Sequence, residues 1–153
     1  PTYTGYGFRL TDVPNNSEFT ALFDMYKINC IKIRFLPQMT ENISLTSVNN
    51  PYANIRFLSA IDKNDSTVTS SDQIREYQSC KVTPILKEHE RIIYKPQIFD
   101  SSGYSVSPWL ATSSPSTVYY GLKTSVDPIV SSSITVMHYS VEVVYYLAFK
   151  NVK

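Results

Sequence analysis

Few residues in this chain are of a type and spacing that could do chemistry. His89 lies between Glu88 and Glu90, where flanking carboxylates would raise an imidazole pKa and suit it to general-base work. The same three residues fit a solvated turn between two strands, and the turn is the expectation here. His138 has no Cys, Asp or His near it at a metal-binding spacing. Cys30 and Cys80 lie far apart without a Cys-x-x-Cys pair, which argues against zinc. Two cysteines are also too few for a disulfide framework, so both are read as free thiols. Gly103 and Gly121 stand alone and form no phosphate loop, and no Gly-x-Ser-x-Gly elbow occurs. Glu88 and Glu90 are a weak basis for paired-carboxylate catalysis. The chain is therefore expected to be no enzyme, with no metal and no cofactor. Asn15, Asn42 and Asn64 each begin an Asn-x-Ser triplet. The opening Pro1-Thr2-Tyr3-Thr4-Gly5 has neither the basic nor the apolar region of a signal peptide, so these sites are expected to stay unmodified. The aromatic pairs Tyr119-Tyr120 and Tyr145-Tyr146 would put one ring on each face of a strand. The outward ring could stack a base or fill a protein interface.

The elements that must position these residues are mostly strands. A chain of 153 residues, 42% hydrophobic and 18% charged, is one domain and too apolar for disorder. Lys and Arg number 14 against 13 Asp and Glu, which excludes nucleic-acid binding by bulk charge. The longest uncharged apolar run, Val143 to Phe149, is far too short for a helical membrane span. Alternation at period two predicts long strands at Tyr139–Lys150, Lys27–Phe35, Asn54–Asp62 and Val118–Val126, with Tyr119 and Lys123 facing away from the core. Shorter candidates are Gly7–Leu10, Cys80–Leu86, Arg91–Lys95 and Pro108–Ala111. That is about eight strands, the number of a jelly roll. Phe19, Leu22, Phe23 and Tyr26 recur at helical spacing and predict a helix over 17–26. Ser70 and Gln73 suit a capping box for a second short helix, with Ile74 and Tyr77 on one face. Asn49–Pro51, Lys63–Ser66, Asp100–Pro108 and Ser113–Ser116 read as loops.

Four blocks together carry a family resemblance. Phe23-Asp24-Met25-Tyr26-Lys27-Ile28-Asn29-Cys30-Ile31-Lys32-Ile33-Arg34-Phe35-Leu36-Pro37 resembles the strand C region of capsid proteins from circular, Rep-encoding single-stranded DNA viruses, circoviruses and cycloviruses among them. The stretch from Tyr77 to Gln97, with Cys80-Lys81-Val82-Thr83-Pro84 and Arg91-Ile92-Ile93-Tyr94-Lys95-Pro96, is similar to strands E and F. Tyr120-Gly121-Leu122-Lys123 leading to Asp127-Pro128 resembles strand H, and Tyr139 to Lys153 resembles the closing strand I. The resemblance implies an all-β, single eight-stranded antiparallel jelly roll with sheets B-I-D-G and C-H-E-F and one or two short helices in loops. It implies a structural coat protein whose copies, about sixty, close into an icosahedral shell around a circular single-stranded DNA genome. The implied places are the virion and, during assembly, the host nucleus. The implied partners are the chain itself, the viral DNA and a host-cell surface receptor, a glycan being one class, with no membrane insertion. Family members open with an Arg/Lys-rich arm that binds the genome and carries the import signal. Residues 1–153 are read as the shell domain alone, with the arm removed or left out. The rival reading is a carbohydrate-binding β-sandwich, a lectin-like attachment module; unpaired cysteines count against it.

The resemblance also sets expectations for individual residues. Strand I, from Tyr139 to Lys153, should sit centrally in the B-I-D-G sheet. Phe8, Leu10, Ile31, Ile33, Phe35, Ile55, Phe57, Val118, Tyr120, Leu122, Val141, Val143, Tyr145 and Leu147 should fill the core. Cys30 and Cys80 should lie two strand spacings apart, too far for a bridge. The family's B-I-D-G sheet lines the interior, so Arg9, Arg56, Tyr146 and Lys150 are the expected nucleic-acid contacts, opposed by Glu142. Helix 17–26, the Asn42–Tyr52 loop, segment 64–77 and loop 100–117 should supply contacts between copies.

Overall fold

The computed structural model describes residues 2–38, 55–127 and 138–153. The Asn42–Tyr52 loop, with the Asn42 triplet and Asn49–Pro51, lies outside them. The described strands are β1 (Thr2–Phe8), β2 (Phe23–Pro37), β3 (Arg56–Ile61), β4 (Lys81–Pro84), β5 (His89–Tyr94), β6 (Gln97–Asp100), β7 (Gly103–Val106), β8 (Leu110–Ala111), β9 (Tyr119–Val126) and β10 (Tyr139–Val152). Two short helices, α1 (Asn16–Leu22) and α2 (Ser71–Arg75), lie between them.

The strands make two antiparallel sheets. In the first, β9 pairs with β1 through Thr2↔Val126 to Phe8↔Tyr119 and with β3 through Phe57↔Val126 to Ile61↔Leu122. The same β9 residues have partners on both sides, so the order is β1-β9-β3-β4, with β6 and β7 continuing beside β9. In the second sheet the order is β10-β2-β5, and β8 extends the β5 side of β2. Phe8, Ile31, Ile33, Phe35, Phe57 and Leu122 pack between the sheets and are buried.

In jelly-roll letters these orders are C-H-E-F and I-D-G. The two expected sheets are therefore present, but each early segment sits one letter later than assigned from sequence. Segment 2–8 takes position C, 23–37 takes D, 56–61 takes E, 81–84 takes F and 89–94 takes G. Alternation marks a strand but carries no information about its neighbours. Position B, beside I, is filled by none of the described residues. Among the described residues strand β10 is thus at an edge and not central; β2, which alternates as strongly, takes the middle. In consequence Val141 and Val143, expected in the core, are 46% and 36% exposed. Tyr145 and Leu147 do pack against the core.

Four local corrections have physical causes. Tyr6 pairs with Leu122 and Gly7 with Tyr120, which leaves Gly121 as a β-bulge. The bulge turns Tyr119 inward, where it is fully buried, and leaves Tyr120 only half-buried. Helix α1 stops at Leu22 because Phe23 is already extended, at φ −124° and ψ 148°. Tyr26 then belongs to β2, buried, with its hydroxyl donating to the Ser114 carbonyl at 3.1 Å. Cys30 on β2 and Cys80 before β4 are in opposite sheets, and both are free thiols. Helix α2 forms where expected, with the Ser70 hydroxyl accepting from the Gln73 N–H at 3.1 Å and Ile74 buried, but the Gln73 side chain accepts from the Thr69 N–H instead of closing the box on Ser70, and Tyr77 lies beyond the helix.

His89 is the largest departure. It opens β5, is fully buried and faces the core rather than a solvated turn. Its ring joins the sheets: Nε2 is 2.6 Å from the Ser59 hydroxyl on β3 and Nδ1 is 2.8 Å from the Thr83 hydroxyl on β4. Phe57 packs on it at 4.7 Å. Burial, helped by the charges of Lys81 and Arg91, lowers its pKa to about 4.

Two measurements follow. Ile33→Ala removes a fully buried side chain and should cost about 2–5 kcal/mol in urea unfolding. Val143→Ala, at the exposed edge, should cost less than about 1 kcal/mol. Equal costs would mean that the edge is covered in solution. For His89, the folded pKa lies below the ordinary value, so the fold favours the neutral ring. Its contribution is complete above pH ~6.5 and is lost as pH falls toward 4, about 3 kcal/mol in all. Unfolding midpoints of the parent and His89→Gln, compared across that range, should converge as the pH drops; parallel curves would show that His89 does not titrate differently in the fold.

Candidate nucleic-acid interface

The two sheets differ in what covers their outer faces. On the first, the chain from Asp62 to Cys80 folds back over the sheet. Leu58 and Ala60 are buried beneath it against its own Ile74, packed by Val68, Tyr77 and Cys80. The segment crosses β1 at Gly5, where any Cβ would overlap the Ser66 carbonyl oxygen. Lys123 on the outward side of β9 is 1% exposed as a result. Its Nζ is 2.7 Å from Asp62 Oδ2 and 2.7 Å from Asp65 Oδ1, and it donates to the Tyr77 hydroxyl at 3.0 Å. Burial alone would lower the Lys123 pKa; hydrogen bonds to Asp62, Asp65 and Tyr77 outweigh it and raise it. The ion is thus committed to holding the cover in place.

The outer face of the second sheet has no such cover among the described residues. Register places its side chains in rows across β10, β2 and β5. Glu142, Arg34 and Glu90 make one row, Val144, Lys32 and Ile92 the next, and Tyr146, Cys30 and Tyr94 the third. Ala148 and Lys27 follow, then Lys150 and Met25.

Charge is segregated along these rows. At one end Arg34 gathers the carboxylates: Nε is 2.8 Å from Glu88 and 3.7 Å from Glu90, and a terminal nitrogen is 2.9 Å from Glu142. The hydrogen bond from Arg34 holds the Glu88 carboxyl below its ordinary pKa. Lys32 adds a 3.0 Å contact to Glu90. At the other end are cations and rings. Lys150 Nζ lies 4.4 Å from the centre of the Trp109 ring and Lys27 Nζ lies 5.7 Å from it, within cation–π range. Tyr94 and Tyr146 are 66% and 51% exposed. Cations interleaved with open aromatic faces can hold phosphate and stack bases.

Of the four residues expected here, the structure brings together Tyr146 and Lys150. Both lie on the outward side of β10, as the alternation indicated. Arg9 lies beyond the end of β1, its N–H donating to Asp12 at 2.8 Å. Arg56 is on β3, facing outward from the opposite sheet. Both were misplaced because their strands belong to positions C and E. The residues missed are Lys27, Lys32, Tyr94 and Trp109. Lys32 and Tyr94 are outward alternates of β2 and β5, readable once those strands are set beside β10; Lys27 faces outward only because a bulge at Asn29 reverses the phase of β2. Nothing in the pattern around Trp109 marks it.

Compared with models of known families, residues 2–153 match that of the circovirus capsid protein. Among solved structures, the 60-mer BFDV capsid protein superposes with a TM-score of 0.66 at 16% identity, over 97% of this chain and 81% of that one. The decameric BFDV capsid protein gives 0.66 at 15%, over 98% and 84%. Melon necrotic spot virus gives 0.57 at 12%, over 91% and 42%. At such identities these are likenesses of fold. No curated protein matches the chain.

The Arg34 cluster can be checked directly. Arg34→Gln should raise the titration midpoint of Glu88, read by carboxyl carbon NMR, because the charge that stabilises its ionised form is gone. An unmoved midpoint would show that the pair does not persist in solution.

Proposed function

The chain belongs to the circovirus capsid protein family, and from that premise we propose that its copies close into a shell of about sixty around a circular single-stranded DNA genome, with the outer face of the β10-β2-β5 sheet turned to that genome. A capsid protein is a structural component of the virion and not an enzyme, and the family assignment replaces the carbohydrate-binding alternative. The family match over residues 2–153 carries the coat reading. The contrast between faces supports the orientation. One sheet is covered by its own chain and its buried lysine is committed, while the other presents Lys27, Lys150 and Trp109 together.

Contacts between copies would use apolar side chains that the subunit leaves open. Phe19 and Leu22 on α1 are 37% and 56% exposed, and Phe99, Tyr104 and Val106 on the β6–β7 hairpin are 61%, 52% and 53% exposed. These elements lie within two of the segments expected at subunit contacts, extended slightly at Phe99. A receptor on the host-cell surface and passage through the host nucleus belong to the same proposal and rest on the family alone.

The test uses the full-length protein. The parent should form particles visible by electron microscopy and hold nucleic acid. Lys27→Gln with Lys150→Gln should still assemble but package less. In filter binding with single-stranded DNA, its slope of log K against log salt should fall by about 1–2, as expected for two lost phosphate contacts. Failure of the parent to assemble would overturn the coat reading. Unchanged packaging and slope would overturn the orientation.

A further inference from the structure

We propose that the cleft above Cys30, between Tyr94 and Tyr146, is a slot for one nucleobase of single-stranded DNA; this rests on the genome-facing reading of the β10-β2-β5 sheet. The cleft has a volume of about 440 Å³ and is lined by Asn29, Cys30, Lys32, Ile92, Tyr94 and Tyr146. Tyr146, Cys30 and Tyr94 are aligned partners on three neighbouring strands. Their backbones are spaced at about 4.8 Å, so the two tyrosines rise roughly 9–10 Å apart with only a small thiol between them. Both rings are more than half exposed, and among the described residues neither packs on another aromatic ring.

The sheet is opened at this point by a second bulge. Tyr146 pairs with Cys30 and Leu147 with Ile28, so Asn29 has no partner on β10. Bulges re-aim side chains next to binding sites. Here the bulge keeps Cys30 outward and leaves the Asn29 amide exposed at the rim, where it can reach a base edge. The wall on the β5 side is completed by Ile92.

Charge favours a nucleotide over a neutral or acidic ring compound. No carboxylate lines the cleft. The nearest acids in the rows, Glu90 and Glu142, are held by Lys32 and Arg34. On the other side, Lys27 and Lys150 stand over Trp109, positioned for the phosphates that follow a base. Aromatic stacking of this kind tolerates any base, because each has a flat π face. The slot would hold the strand without reading its sequence.

The test separates base from phosphate. Unassembled full-length protein is titrated with oligothymidylate and with an abasic oligomer carrying the same number of phosphates. The parent should bind oligothymidylate more tightly. Tyr94→Ala with Tyr146→Ala should weaken oligothymidylate binding roughly tenfold or more, with abasic binding and the salt slope unchanged. Tyr94→Phe with Tyr146→Phe should bind like the parent. In the parent, oligothymidylate should also slow maleimide labelling of Cys30 and not of Cys80. Equal binding of the two oligomers by the parent, or equal protection of both thiols, would overturn the slot and leave phosphate binding by the face intact. Binding of neither oligomer would overturn the genome-facing reading and the slot with it.

Discussion

The pairing of β2 governs the rest of the molecule. It is bonded to β10 from Tyr139↔Pro37 to Val152↔Phe23, and on its other side to β5 and then β8. This phase puts Ile31, Ile33 and Phe35 inside and Lys32 and Arg34 outside. A slip by one residue would exchange the two sets and bury both cations. The cost of that exchange makes the register unambiguous. The interior of the sandwich and the charge pattern on the outer face are therefore one decision, made once along a single strand.

Two ways of treating a lysine follow from that decision. Lys123 lies beneath folded-back chain, where a lone ion would be costly, and it persists because Asp62, Asp65 and Tyr77 surround it. Lys27 and Lys150 sit over a ring in reach of water and of any approaching anion. The first is fastening and the second is display. The same division separates the sheets: one has an ordinary second core beneath α2, and the other keeps its outward rows available.

Much of this was legible in the residues. Alternation located the long strands and marked Ile31, Ile33, Phe35, Phe57 and Leu122 as core, and the Ser70 cap marked α2. The motif from Phe23 to Pro37 pointed to the family. What could not be read was adjacency. Hydrogen-bond partners are set between segments far apart in the chain, so β10 at an edge of the described sheet, Val141 and Val143 open, and Arg56 on the other sheet leave no trace in local pattern. Tyr119 was hidden by a single glycine bulge. Tyr26 fits a helical spacing and a strand spacing alike. His89 looked solvated because its chain neighbours are acidic, while its real partners, Ser59 and Thr83, come from another sheet.

The pairing of β1, which the cover crosses at Gly5, constrains the order in which the molecule can be made. Strand β1 pairs with β9, so Thr2–Phe8 cannot dock until Tyr119–Val126 has been made. The Ser66 carbonyl lies against the Gly5 backbone, so the cover and β1 fit together with no side chain between them. Non-local pairings of this kind slow folding, because chain entropy is spent long before contacts repay it. A subunit emerging from synthesis therefore completes the β1–β9 pair late. Its Lys123 clamp also waits for β9, and until then the apolar underside of α2 is a liability at high concentration.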